Sequence, residues 1–228
     1  MIRIHRPRKA PDILGAASTR VWAKEWAMGR RKDWASPSAK KALRRVLGRM
    51  TRGKCTYCES VLEVTSYLEV DHYHPKSRYP SKAYTWSNLF PACRVCNGAK
   101  GDPDHKGSLL KPDVEDPEPF FWVNPDSGEL EPHPSLDDAG RHRADETIRI
   151  CKLQRGGLRS LRLETLESVG RWLNRASDLS HLTGALQAEL DCFLDPSTPY
   201  KLVIRQMFTI RGKAAFAERD RRKSAKAV

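Results

Sequence analysis

The sequence predicts an α+β fold that is predominantly α-helical, and three observations support this prediction. Two Cys-x-x-Cys pairs bracket the stretch from residue 55 to residue 96. Between them, residues 67–70 alternate in polarity as a β-strand does. Through most of the remaining chain, apolar residues recur at helical spacing. We therefore expect a small core of strands and one helix, embedded in N- and C-terminal helices.

The composition indicates a globular protein with a polyanionic partner. The chain has 228 residues and a formal net charge of +13. Residues 1–54 carry 16 Lys and Arg against three acidic residues, and residues 205–228 carry eight against two, so the surplus lies at the two ends. Phosphate contact is a common reason for such a surplus. No apolar run approaches the roughly 20 residues of a membrane span, and the start lacks a signal-peptide pattern, so we expect a cytoplasmic location.

The sequence patterns divide the chain into four predicted segments. The last helix of the first segment should begin at Ser36-Pro37, because serine is a favoured cap and proline a favoured first residue. Phe120 opens a short predicted hairpin in the third segment. The segments are a basic N-terminal arm with helices (1–54), the metal-binding core (55–112), the hairpin and a helical region (113–199), and a basic C-terminal helix and tail (200–228).

The two Cys-x-x-Cys pairs predict one structural zinc site. The four ligands would be Cys55, Cys58, Cys93 and Cys96. A site filled by four sulfurs is closed, so a catalytic metal has to bind elsewhere. A chain without an export signal favours metal binding over disulfide bonds. The remaining Cys151 and Cys192 fall in helical patterns and are predicted to be small buried side chains.

A second group of polar residues predicts a catalytic metal site. Asp71 and Asn97 offer oxygen ligands, which suit a hard cation such as Mg²⁺ or Mn²⁺. Asn97 should lie at the start of a helix. His72 can take a proton from water near neutral pH, because the ordinary pKa of imidazole is near 6.5. Since neighbours in a regular strand point to opposite faces, we expect the strand to be distorted or to end at Asp71 and His72.

These motifs, CxYCE, EVDHYHPK, WSNL and CRVCNGAKGD, resemble the HNH or ββα-metal nuclease family in its zinc-knuckle form. The resemblance implies a ββα-metal core that hydrolyses phosphodiester bonds. It also implies that Asp71 and Asn97 bind the catalytic metal and that His72 is the general base. Asn88 would hold the hairpin loop and orient the base through hydrogen bonds.

The chain as a whole is similar to a narrower group. The basic start, the helix before CTYCE, the hairpin at Phe120 and the run TIRICKLQRGGLRSLR resemble the HNH subunits of Septu and retron-linked anti-phage systems, the PtuB group. In that group the nuclease works beside an ATPase of the SMC-like or ABC-like kind, PtuA. The resemblance therefore implies an ATPase partner for this chain.

Several basic side chains beside the predicted site are candidates for phosphate contacts. They are His74, Lys76, Arg78 and Lys100. His74 is also a weaker candidate for the base, but the position directly after Asp71 favours His72. The basic N-terminal arm could bind either DNA or a partner protein.

The leading hypothesis is a Mg²⁺-dependent, zinc-stabilised HNH endonuclease that cuts DNA as the effector of a defence complex. One rival is a zinc-scaffolded nucleic-acid-binding module without turnover. Another is a free-standing restriction-type HNH nuclease. The sequence leaves open whether DNA, RNA or tRNA is preferred, which sequence is cut, what triggers activity and how many partner subunits bind.

Overall fold

The computed structural model describes residues 1–62, 67–105, 107–176 and 182–226. The fold is α+β and mainly helical, as predicted. Its helices are α1 (Asp12–Gly15), α2 (Ala17–Ala27), α3 (Pro37–Met50), α4 (Arg94–Lys100), α5 (Asp138–Ile150), α6 (Gly156–Arg175), α7 (Gly184–Leu194), α8 (Lys201–Ile210) and α9 (Ala214–Lys226). Its strands are β1 (Leu68–His72), β2 (Leu89–Cys93), β3 (Phe121–Val123) and β4 (Leu130–Pro132). Within the described ranges, no helix combines the length and the apolar character that crossing a membrane requires.

The predicted metal-binding core is the hairpin β1–β2 followed directly by α4. The strands are antiparallel, and Leu68 pairs with Cys93 at one end while His72 pairs with Leu89 at the other. Helix α4 starts at Arg94 because the Cys93 sulfur caps it by accepting the Cys96 N–H. Asn97 therefore lies in the middle of the helix, and the prediction that it starts the helix is wrong.

Strand β1 stays regular through Asp71 and His72. Asp71 pairs with Phe90 and His72 with Leu89, in register with the rest of the ladder. The strand is not distorted, but it does end at His72, which is the other of the two forms that the prediction allowed. The two side chains consequently point to opposite faces, Asp71 towards α4 and His72 towards the residues before α3.

Helix α3 covers the outer face of the hairpin. Ser36 caps it as predicted, with its hydroxyl accepting the Ala39 N–H at 3.2 Å. Leu43 and Leu47 are completely buried on the side that meets the strands. Gly48 lets the two backbones approach, because a Cβ there would lie 3.1 Å from the Leu68 side chain.

The basic N-terminal arm is extended but packs into the core. The Ile4 N–H donates to the Pro112 carbonyl at 2.9 Å. The Arg6 guanidinium lies 4.8 and 4.4 Å from the ring centres of Trp86 and Phe90. This arm is thus a structural part of the fold, so deleting residues 1–15 would remove core contacts together with charge.

The C-terminal half packs against the core as a helical layer. Strands β3 and β4 form the predicted hairpin, and α5, α6 and α8 join the same hydrophobic cluster as α3 and β1. A second cluster around Trp172 and Phe208 holds α7 and α9 against α6 and α8. Cys151 is buried as predicted, whereas Cys192 is exposed on α7, so its predicted burial is wrong.

Candidate active site

The four sulfur atoms of the Cys-x-x-Cys pairs lie within 4.8 Å of one another, and all four residues are buried. The Cys58 and Cys93 sulfurs are 3.9 Å apart. In a tetrahedron with Zn–S bonds of about 2.3 Å the sulfurs are about 3.8 Å apart. The residues present therefore fit one closed, tetrahedral zinc ion.

Positive and polar N–H groups surround these sulfurs. The N–H groups of Cys93 and Cys96 donate to the sulfurs of Cys55 and Cys93 at 3.3 and 3.4 Å. Arg155 approaches the Cys96 sulfur at 3.5 Å and the Cys93 sulfur at 3.9 Å. Burial alone would lower the pKa of Arg155, but the sulfurs outweigh it and the pKa is raised. Arg155 thereby favours the thiolate form that binds metal.

Asp71 lies on the α4 face of β1 and is already fully engaged. One carboxylate oxygen accepts the Tyr57 hydroxyl at 2.5 Å. The other lies 3.2 Å from the Lys100 ammonium, which also donates to the His72 carbonyl at 2.9 Å. Asp71 and Lys100 are each only 2% exposed. A buried carboxylate is thus neutralised by an ammonium group from α4.

Glu69 shares this face with Asp71, because residues two apart in a strand point the same way. Its carboxylate accepts the Asn97 side-chain amide at 2.7 Å. Both residues are only partly buried. Three side chains with oxygen donors therefore face the space between β1 and α4: Glu69 contacts Asn97, and Asp71 contacts Lys100, three residues further along α4. This donor set fits a hard cation such as Mg²⁺ or Mn²⁺.

His72 faces the other side of β1 and is 5% exposed. Its Nε2 lies 3.0 Å from the Ala83 carbonyl oxygen. A carbonyl only accepts, so Nε2 carries the proton and Nδ1 is the basic nitrogen. The Trp34 ring packs against the imidazole at right angles, with centroids 4.7 Å apart. Burial lowers the pKa of His72 to about 3, and the charge of Lys76 acts in the same direction.

Asn88 ties together the loop between the two strands. Its side-chain oxygen accepts the His74 N–H at 2.7 Å. Its amide nitrogen donates to the carbonyls of His74 and Lys82 at 3.0 and 3.1 Å. Lys82 precedes Ala83, whose carbonyl holds His72. Asn88 therefore fixes the carbonyl that orients the imidazole, and it does so through the backbone.

The four candidate phosphate contacts lie in different environments. Arg78 is exposed and donates to the Asp102 carbonyl at 3.1 Å. Lys76 is partly buried, and His74 packs between the rings of Tyr73 and Tyr79. The Lys100 ammonium is held inside the protein by Asp71. Lys100 is thus the partner of a carboxylate and is not placed as a surface contact for phosphate.

Four site residues were missed by the sequence analysis. Glu69 could have been found, because the Glu-Val-Asp pattern puts two carboxylates on one face of a strand. Tyr57, inside the first Cys pair, carries no signal that it would reach Asp71. Trp34 and Arg155 are far from the motif in sequence, and only the tertiary fold brings them to the site.

Comparison with known proteins supports the resemblance of the core to HNH nucleases. Residues 55–103 match the family described as HNH endonuclease. The two strands, the helix and the cysteine cluster therefore form an HNH endonuclease domain. The resemblance that the sequence motifs suggested is confirmed for this domain.

The wider chain is similar to two curated relatives, each named Septu protein PtuB. The relative from Bacillus thuringiensis is 34% identical over 119 residues, which cover 51% of this chain and 44% of the relative. The relative from Bacillus mycoides strain KBAB4 is 26% identical over 153 residues, covering 56% and 52%. The similarity to the PtuB group is confirmed, and the matched region spans about half the length of each relative.

The buried imidazole predicts an unusual response to pH. Because its pKa is lowered to about 3, His72 stays neutral as the pH falls through the range in which an ordinary histidine takes up a proton. It becomes protonated only when the pH approaches this lowered pKa. We expect His72 to remain neutral between about pH 7.5 and 5, where an ordinary imidazole would titrate. Nitrogen NMR of the zinc-loaded protein, with a His72→Gln variant for assignment, measures this directly. Titration near pH 6.5, or a proton on Nδ1, would contradict the structure.

Proposed function

We propose that this protein is a metal-dependent endonuclease that hydrolyses phosphodiester bonds in DNA. The arrangement of β1 and α4 carries the proposal, because it combines a neutral imidazole with a set of oxygen ligands. The HNH endonuclease match of residues 55–103 supports it. The basic charge of the chain agrees with a nucleic-acid substrate.

The regular strand suits in-line displacement at phosphorus. In such a reaction the attacking and leaving oxygens lie on opposite sides of the phosphorus atom. His72 lies on the α3 side of β1, and Asp71 lies on the α4 side. A phosphodiester at the end of this strand would meet the base from one side and the metal ligands from the other. A distorted strand is therefore not required for the two residues to cooperate.

His72 would accept the proton of the attacking water at Nδ1. Its Nε2 proton is held by the Ala83 carbonyl, so the ring keeps this orientation during the transfer. A pKa near 3 makes a weak base. An anionic phosphate beside the ring would raise this pKa, since a nearby negative charge favours the protonated form. Substrate binding would thus have two effects: it would expose the buried His72 ring, and it would raise the pKa of that ring.

Asp71 and Asn97, together with Glu69, would hold the catalytic cation. Mg²⁺ or Mn²⁺ bound there supplies positive charge for the oxygen that leaves phosphorus. Tyr57 would keep the Asp71 carboxylate oriented through its hydrogen bond. Lys100 would neutralise Asp71 before the cation binds, and it would have to yield part of this contact afterwards.

The proposed biological role is in anti-phage defence, beside an ATPase of the ABC-like or SMC-like kind. The similarity to proteins named Septu protein PtuB supports this role. The partner would supply the trigger, because the covered His72 gives the isolated chain a poorly accessible base.

Plasmid cleavage tests the proposed activity. The zinc-loaded protein, alone and with the ATPase encoded beside it, is incubated with supercoiled plasmid and Mg²⁺. We expect nicking or cutting that falls at least about 100-fold in His72→Asn, the usual scale for loss of a general base. His142→Asn, on the exposed face of α5, serves as the matched control. Both variants are checked for zinc content and melting temperature.

Equal cleavage by the parent and the His72→Asn variant would show that His72 is not the base. Binding of plasmid without cleavage under every condition would instead favour the zinc-scaffolded binding module. Cleavage by the chain alone, unchanged by the ATPase, would favour the free-standing nuclease.

A substitution of Lys100 tests the proposed metal site. Lys100→Met removes a buried positive charge that shares Asp71 with the cation. We expect Mn²⁺ to bind at least about tenfold more tightly, because repulsion and competition are both lost. Calorimetry with Mn²⁺ measures this, and Lys76→Met is the control with the same charge change. Unchanged or weaker Mn²⁺ binding by Lys100→Met would contradict a cation at Asp71.

A further inference from the structure

The outer face of α3 carries a row of exposed cations. Its members are Lys41, Arg44, Arg45, Arg49 and, just beyond the helix, Arg52. None of the five forms an ion pair or a side-chain hydrogen bond with any residue that the structure describes. Elsewhere many arginines are paired, as Arg143 is with Glu115 and Arg175 with Glu189. We call this unpaired row the α3 basic row.

The geometry of the row is set by the helix. From Lys41 to Arg49 the backbone rises about 12 Å, which equals the rise of three to four phosphates of one strand measured along the axis of a DNA duplex. The opposite face of α3 is buried through Leu43 and Leu47 against the hairpin. The row is therefore fixed at roughly one helix diameter, about 10 Å, from the strands of the nuclease domain.

The start of α3 also adjoins the proposed base. Trp34, just before the helix cap Ser36, packs against the His72 ring. At the other end, Arg52 has a φ of 55°, a left-handed conformation that residues other than glycine rarely adopt. The cations of α3 thus extend from the end of the helix near His72 to Arg52, which lies just beyond the last turn in a left-handed conformation.

We infer that the α3 basic row docks on the sugar-phosphate backbone of duplex DNA that flanks the cutting site. The inference rests on the proposed nuclease function and adds the surface that holds its substrate. It places DNA binding on α3 and not on the N-terminal arm. In that arm Arg6 already forms an ion pair with Asp113 and stacks on two aromatic rings.

The chemistry of the row favours a duplex over other partners. Protein interfaces usually have an apolar centre, but none of the exposed large hydrophobic residues of the described chain lies on α3. Single-stranded nucleic acid is usually held by aromatic side chains that stack on bases, and the row has none. Arginine and lysine side chains without aromatic neighbours suit contacts to the phosphate backbone, and such contacts do not depend on the DNA sequence.

Salt-dependent binding tests the inference. The triple variant R44Q/R45Q/R49Q keeps good helix formers on an exposed face. The triple variant R141Q/R171Q/R219Q removes the same charge from exposed positions on α5, α6 and α9. Binding of a labelled DNA duplex is measured by anisotropy over a range of salt, without added divalent cation so that no cleavage occurs.

We expect the α3 variant to bind DNA at least about tenfold more weakly at moderate salt, and its log–log salt slope to fall by about two to three. The control variant should keep the affinity and slope of the parent. Equal binding by the α3 variant would overturn the inference. So would an α3 variant that binds DNA normally and loses only its ATPase partner, or a parent that binds duplex RNA and not duplex DNA.

The same proteins separate this inference from the proposed function. If the parent binds duplex DNA through the row but never cuts it with Mg²⁺, the proposed nuclease function fails and the docking surface stands. If the parent cuts plasmid and the α3 variant binds and cuts equally well, the docking surface is wrong and the nuclease function stands.

Discussion

The cluster of four buried sulfurs is the constraint on which the rest of the structure depends. Its cysteines come from the turn before β1 and from the β2–α4 junction, so one ion would fix strand and helix together. The cluster also connects to distant parts of the chain. Arg155 reaches the sulfurs from the start of α6, and Glu59, directly after the first Cys pair, accepts the backbone N–H of Lys201 in α8. The helical layer and the core of β1, β2 and α4 are thereby joined at the cysteine cluster.

Burial of charge organises the site that this cluster supports. Lys100 neutralises Asp71 inside the protein, and the pKa of His72 is lowered by burial. Within the protein alone, the charge of Asp71 is therefore already balanced by Lys100, and His72 is already covered and neutral. Exchange of the Lys100 contact for a divalent cation, and entry of phosphate beside His72, are the two changes that the proposed chemistry requires. The proposed ATPase partner would couple these two changes to a signal.

The local features of this fold could be predicted from the sequence. Cys-x-x-Cys spacing, the Ser36 cap and the Phe120 hairpin depend on residues close together in the chain. Features set by distant contacts could not. Arg6 and Lys100 read as surface charges, yet aromatic rings and Asp71 draw them into the core. The sequence predicted that the strand would be distorted or would end, and it ends at His72 without distortion. His72 and Asp71 therefore stay on opposite faces, an arrangement that is compatible with in-line chemistry.

X-ray absorption at the zinc edge, combined with metal analysis of the purified protein, tests whether one zinc ion joins β1 to α4. Its ligands would be only Cys55, Cys58, Cys93 and Cys96. We expect one zinc per chain and four sulfur neighbours at about 2.3 Å. Nitrogen or oxygen ligands in the zinc shell, or a folded protein without bound metal, would contradict it.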